Sequence, residues 1–331
     1  MSMNEQMREI MRRLSAAARL LVVTHARPDG DALGSMAALC GAARSAGKQT
    51  AALVPSEVPA RYDFLLADCR PAPAERFAEL AGWADAVIIV DTCAFAQLDG
   101  LDDALAQARG KIVVIDHHAT TDDIGAVRWL DASAAAAGVM IGELLDALGW
   151  PVDLKTAEAL LTAMTTDTGW FRFSNTDGRC LRAAARLFDA GVECDKLYRR
   201  LFQADRPERM KLLSRALASL ELPAAGAIAT MKLRLADFAE TGARQDETEN
   251  IVNEPLRMGC VEVSMLLVQT PDNGGRCVRV SLRSRGGVDI AAIARRFGGG
   301  GHVRAAGLRA DGEVDALAAK LVKACEAELE L

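Results

Sequence analysis

Only four histidines occur in the 331 residues, His25, His117, His118 and His302, and three of them stand close to aspartates. Thr24-His25-Ala26-Arg27-Pro28-Asp29-Gly30-Asp31 offers one imidazole and two carboxylates on a turn stiffened by Pro28 and loosened by Gly30. Val90-Asp91-Thr92 ends an apolar run in a carboxylate, and Ile115-Asp116-His117-His118 ends another in an aspartate and a histidine pair. Thr166-Asp167-Thr168-Gly169-Trp170-Phe171 adds a fourth group. Imidazoles and carboxylates are metal ligands, and a ligating histidine is commonly oriented by a further carboxylate. Each group alone has an ordinary reading. Asp29-Gly30 reads as a turn with Asp31 as N-cap, Asp91 as a turn residue, the histidines as a surface pair, and Asp167 as a helix end. Trp170, Phe171 and Phe173 read as core aromatics rather than a base-stacking platform. Four crowded carboxylates, however, repel unless cations neutralise them. Two divalent metals sharing a bridging carboxylate would do so, and would set up in-line attack on phosphorus.

The elements that must position these groups alternate. Leu20 to Thr24, Ala51 to Val54, Ala86 to Asp91 and Lys111 to Asp116 are short, continuous and rich in Val, Ile and Leu, as buried parallel strands are. Leu33, Met36, Ala37 and Cys40 fall at helical spacing between the first two, opened by Asp31 and closed by Gly47. The expected fold is α/β, a parallel sheet with helices on both faces. Its ligating groups then lie at the carboxyl edge of neighbouring strands, where open sheets place their sites. From Ala134 to about Leu201 the pattern is wholly helical. Arg206 to Leu220 predicts a helix with Met210, Leu213, Leu217 and Leu220 on its apolar side. Beyond Pro223, strand-like runs at Ala227 to Lys232, Val261 to Gln269 and Cys277 to Arg283 precede a closing helix with Val314, Leu317, Leu321 and Cys325. This predicts a first domain over 1–200, a helical linker over 201–222 and a smaller α/β domain over 223–331.

Composition narrows the class. Half the residues are hydrophobic, enough for two cores, and 45 acidic against 39 basic side chains give a net charge of -6, which excludes a protein that coats long nucleic acid through a basic surface. The eight cysteines contain no Cys-x-x-Cys, and no apolar run reaches membrane-span length. A reducing cytoplasm with free thiols is the expected setting, with no membrane partner. Within this acidic chain Arg276 to Arg309 is basic, with eight arginines and the single acid Asp289. It contains Phe297-Gly298-Gly299-Gly300-Gly301-His302, whose glycines would let backbone N–H groups approach an anion, with a helix expected to start near His302 and add its positive end. Arg295, Arg296 and Arg309 fit a solvated face equally well.

The four N-terminal groups, in this order and spacing, resemble the motifs of the DHH phosphoesterase superfamily, in the subgroup of NrnA-like oligoribonucleases and pAp phosphatases. The second half resembles the DHH-associated substrate-binding domain, through Ser281-Leu282-Arg283-Ser284-Arg285 and the Gly298 to Gly307 segment. The resemblance implies two divalent metals, Mn2+ with Mg2+ or Co2+ as alternatives. One would be held by His25, Asp29 and Asp91, the other by Asp31, Asp91, His117 and Asp167, with Asp91 bridging. It implies a hydroxide between the cations as nucleophile, His118 contacting the scissile phosphate or protonating the leaving oxygen, and Asp116 orienting the histidines. Arg283, Arg285, Gly299, Gly300, Gly301 and His302 would grip a terminal phosphate or nucleotide. Asn253 enters through Glu249-Asn250-Ile251-Val252-Asn253, a looser match because the family commonly has glycine where Asn250 stands. The implied substrates are short oligoribonucleotides and pAp, not long duplexes, and with no OB-type extension after residue 331 a RecJ-like processive nuclease is not expected. A cyclic di-AMP or pApA phosphodiesterase is the closest alternative, and a catalytically silent nucleotide-binding regulator the more distant one. The sequence leaves the oligomeric state open.

Overall fold

The computed structural model describes residues 5–329 apart from 99, 119 and 120, and divides into two compact units, 1–204 and 205–331. The first unit holds β1 (Arg19–Val23), β2 (Gln49–Leu53), β3 (Ala86–Val90), β4 (Ile112–Asp116) and β5 (Val127–Leu130) in the order β2-β1-β3-β4-β5, all parallel. Alternate residues of β3 serve the two faces: Ile88 and Val90 join one core cluster, Val87 and Ile89 the other. That two-sided burial is why these strands read as unbroken apolar runs. β5 escapes the sequence reading because it is a four-residue edge strand carrying Arg128, too short and too polar to signal itself.

Helices cover both faces: α1 (Glu5–Ala16), α2 (Gly30–Ser45), α5 (Ala137–Leu148), α6 (Leu154–Asp167), α7 (Gly178–Asp189) and α8 (Cys194–Phe202) on one, α3 (Phe77–Trp83) and α4 (Asp102–Ala108) on the other. The start of α2 lies against the end of α6 at Gly30, where an added Cβ would sit 2.4 Å from the Thr166 methyl. Only a residue without a side chain permits this approach, and it brings the loop of Asp29 and Asp31 to Asp167.

In the second unit, β6 (Ile228–Leu233), β7 (Val263–Thr270), β8 (Cys277–Ser284), β9 (Gly300–His302) and β10 (Ala305–Asp311) form a mixed sheet ordered β6-β7-β8-β10-β9. The helices Ile290–Arg296 and Val314–Glu328 cover one face, while α9 (Pro207–Ala218) and α10 (Leu235–Thr241) pack on the other. α9, expected within a linker, therefore belongs to this unit. Its buried residues are Leu212 and Ala216, with Leu213 and Leu220 beside them, whereas Met210 and Leu217 of the expected apolar side are exposed. The helix expected near His302 is a strand instead. Gly301 has φ +140, and an added Cβ would lie 2.4 Å from the Ala305 carbonyl oxygen. The glycines thus serve a tight β9–β10 hairpin, with His302 opposite Ala305. Among the described residues, no helix is long and apolar enough to cross a membrane.

Candidate metal centre

β1, β3 and β4 are neighbours, and each delivers its group just at or past its carboxyl end. His25 turns back at the end of β1, its Nδ1 3.0 Å from the Ala26 carbonyl oxygen, leaving Nε2 3.5 Å from Asp91 Oδ2. Asp91 is buried and left-handed at φ +61, a conformation that costs an L-residue free energy and is retained where surroundings over-determine it. His117 Nε2 lies 3.4 Å from Asp91 Oδ1, 3.6 Å from Asp31 Oδ2 and 3.7 Å from Asp167 Oδ2.

The two aspartates at the start of α2 have exchanged the roles expected for a simple turn. Asp29, not Asp31, is the N-cap, its Oδ1 accepting the N–H groups of Asp31 and Ala32 at 2.9 and 3.1 Å. Asp31 is fully buried in the first turn. Its Oδ2 accepts the Ala137 N–H at 2.6 Å, while its Oδ1 accepts the Gly138 N–H at 2.9 Å and the Ser35 hydroxyl at 3.1 Å. It thereby caps α5, whose own N-cap residue, Ala136, has no side-chain acceptor. The sequence reading missed this capping by Asp31, and also Asn175, whose Nδ2 donates to the Ala135 carbonyl at 2.9 Å and approaches Asp167 Oδ2 at 3.4 Å. An aspartate near a remote helix N-terminus leaves no local signal, and Asn175 lies in a polar stretch with no periodicity.

Among the described residues, three groups of potential metal donors result, each with ligand atoms within 4.8 Å of one another: His25, Asp29 and Asp91; Asp31, His117 and Asp167; and Asp91, His117 and His118. Asp91 is common to the first and third, and His117 to the second and third. Burial and the charge of Asp91 push the Asp31 carboxyl well above the usual range. Burial and neighbouring carboxylates likewise carry Asp167 to about 7, against the pull of His117. Burial alone would lower the imidazoles, but Asp91 outweighs it at His25, raised to about 9, and Asp91 with Asp31 outweigh it at His117, raised to about 11. Burial would raise Asp91 too, yet the two imidazoles hold it below the ordinary carboxylate range. Carboxylates forced together at this density, with borderline nitrogen donors among them, are a donor set that divalent cations fit.

His118 is set apart by its partner. Its Nδ1 meets Asp116 Oδ1 at 2.6 Å, and its backbone N–H reaches the same oxygen at 3.2 Å. Asp116 is fully buried, and its Oδ2 has no hydrogen-bond partner among the described residues. Burial lowers the His118 pKa, but Asp116 and Asp91 raise it further, so the net shift is upward.

The candidate substrate residues all lie in the second unit. Arg283 is half-buried on β8, Nη1 donating to the Leu282 carbonyl at 2.9 Å, and desolvation lowers its pKa although Glu249 opposes this. Arg285 donates to the carbonyls of Met258 and Gly259 at 3.0 and 3.4 Å, and also to that of Leu256. It thereby ties β8 to the end of the segment Ile251–Arg257. Gly300, Gly301 and His302 form β9, with Gly299 just before it. Asn253 donates to Asn250 Oδ1 at 3.1 Å, and Asn250 is left-handed at φ +65. That explains the departure from glycine there, since asparagine is the side chain that best tolerates this conformation.

A parallel sheet with an aspartate–histidine cluster at its carboxyl edge, followed by a separate unit with a glycine hairpin, agrees with comparison to known families. Residues 19–165 match the DHH family, N-terminal domain, and residues 226–329 match the DHHA1 domain. The chain belongs to the DHH family, as an NrnA-like phosphoesterase. It is 32% identical to the bifunctional oligoribonuclease and PAP phosphatase NrnA of Thermus thermophilus, over 98% of this chain and 95% of that one. It is 26% identical to the NrnA of Bacillus subtilis over 96% and 98%. The crystal structure of an exopolyphosphatase-related protein from Bacteroides fragilis shares its fold, with TM-score 0.90 at 24% identity over 98% of this chain and 95% of that one.

Proposed function

We propose that this phosphoesterase uses two divalent cations, Mn2+ foremost, to trim short oligoribonucleotides to mononucleotides and to remove the 3'-phosphate of pAp. The observation that carries the reading is the pair of donor groups His25–Asp29–Asp91 and Asp31–His117–Asp167, which share no residue yet are joined by the 3.4 Å approach of Asp91 to His117. Asp91 would bridge the two cations, and the substrate range is that named for the NrnA relatives. When bound, such cations lower the pKa of water and neutralise charge on the phosphoryl oxygens.

The chain's own residues supply the rest. Asp29 and Asp31 are fixed by backbone N–H groups and Asp167 is steadied by Asn175, so the carboxylates converge without rearrangement. Asp116 orients His118 through Nδ1, and His118 would donate a proton to the leaving oxygen as its bond to phosphorus breaks. In the second unit Arg283, Gly299, Gly300, Gly301 and His302 would bind the terminal nucleotide, with Asn253 and Arg285 supporting that surface. The test is turnover of RNA trinucleotide, pAp, pApA, cyclic di-AMP and pyrophosphate with Mn2+ and with chelator. Metal-dependent release of mononucleotides from RNA and of AMP from pAp is expected. Turnover of the cyclic dinucleotide and pApA alone would replace this substrate assignment, and no metal-dependent turnover at all would refute the reading.

A further inference from the structure

One residue beyond Asp167, after Thr168, the chain adopts three successive left-handed residues, Gly169 at φ +55, Trp170 at φ +60 and Phe171 at φ +61. For two bulky residues this is unfavourable, and it persists because Thr168 over-determines the turn. The buried Thr168 donates its hydroxyl to the Met164 carbonyl at 2.6 Å, and its Oγ1 accepts the Phe171 N–H at 3.1 Å. Its carbonyl accepts the N–H groups of Arg172 and Phe173 at 2.9 and 3.0 Å. The result carries Trp170 out of the α6 direction and against α8, with ring centroids 4.9 Å from Tyr198 and 5.6 Å from Phe202, both edge-to-face.

Trp170 is only half-buried there and Tyr198 is exposed. Together with Cys194, Asp195, Arg199 and Gln203 they line a groove of about 590 Å³ within the first unit. Arg199 is paired with Asp195, so the groove carries one charge of each sign and favours a neutral ring over an anion. Three residues of chain span at most about 10 Å, so Trp170 lies within the reach of one nucleotide from Asp167.

We propose that Trp170 and Tyr198 form a nucleobase subsite, stacking the base next to the scissile phosphate, with Arg199 and Gln203 offering polar contacts to its edge. The inference rests on the oligonucleotide reading above and deepens it. Stacking on an aromatic ring is tolerant of base identity, which suits an enzyme that trims RNA of any sequence.

The experiment compares KM for an RNA trinucleotide with KM for the same trinucleotide carrying an abasic ribose at each position in turn, in the presence of Mn2+. The wild-type protein should lose about tenfold in KM at one position only. Trp170→Ala should raise KM for the intact RNA by a similar factor and be indifferent to the base at that position, while Trp170→Phe restores most of the sensitivity. Tyr198→Ala, on the exposed flank, gives the same reading should Trp170→Ala fail to fold. Equal losses on intact and abasic RNA would make the aromatics purely structural and overturn the subsite alone. A wild-type protein indifferent to base removal would do the same, whereas no hydrolysis of RNA by the wild type would overturn the substrate reading and the subsite together.

Discussion

Asp31 Oδ1 accepts the N–H of Gly138, 107 residues further along the chain, at 2.9 Å. One carboxylate thus closes the first turn of α5 and faces His117 of its own donor group, so under the proposed function helix capping and metal binding would draw on the same side chain. A Cβ added at Gly138 would lie 2.4 Å from the Ala163 Cβ and 3.4 Å from that Asp31 oxygen. Gly138→Ala should therefore cost about 1–3 kcal/mol in urea unfolding and weaken metal binding as Asp31 is displaced. Unchanged stability and metal affinity would remove Asp31 from this joint role.

Cations that bind only the folded cluster must raise the melting temperature. Adding Mn2+ at about a hundred times its Kd should stabilise the protein by about 2.7 kcal/mol. Asp91→Asn should abolish that increment, because Asp91 contacts both histidines that face the donor groups. An equal metal-induced shift in wild type and variant would disconnect Asp91 from the metals.

Under the proposed function His118, oriented by Asp116, would serve proton transfer rather than ligation. His118→Asn should lower kcat by about a hundredfold or more while leaving Mn2+ affinity within a few-fold of wild type. Loss of metal binding in calorimetry would instead make His118 a ligand, as its grouping with Asp91 and His117 would then require.

Arg179 ties three elements of the first unit together, donating to Glu143 at 2.6 and 2.7 Å and to Asp131 at 2.6 Å. Burial raises the Asp131 carboxyl, but the Ser133 hydroxyl and Arg179 lower it further, leaving it below the ordinary value of 3.8. A folded-state pKa below the unfolded one contributes stability that is full above the unfolded value and is lost as pH falls through the folded one. Arg179→Met should thus cost about 1–3 kcal/mol at pH 7, since the pair is only partly shielded, and the difference in melting temperature should narrow below about pH 4. A difference independent of pH would assign the loss to packing.

Asn250 allows a backbone test. Its φ of +65 suits glycine and asparagine, so Asn250→Gly should be near neutral while Asn250→Ala should cost about 1 kcal/mol by urea unfolding. Equal effects would point to the Asn253 contact with the Asn250 side chain rather than to the backbone.

The sheet of the first unit was legible because β1, β3 and β4 are buried on both sides, and three of the four candidate donor segments because each ends such a strand, whereas Asp167 ends helix α6. What was not legible depends on distant chain. Whether Asp29 or Asp31 caps α2 is undecidable from two aspartates two residues apart; the answer lies in α5, which takes Asp31 as its own cap. The glycine run before His302 reads locally as the approach to a helix, but the backbone of β10 crowding Gly301 makes it a hairpin. The burial of Leu212 in place of Met210 follows from how α9 meets its sheet, which helical periodicity alone does not orient.

The most direct test of the metal centre is hydrolysis of an RNA trinucleotide by chelator-stripped protein as Mn2+ is added back. Wild type should be inactive when stripped and recover fully, whereas Asp91→Asn should remain at least about a thousandfold slower at saturating Mn2+. Undiminished hydrolysis by the stripped protein, or a wild-type rate in the Asp91 variant, would contradict the account.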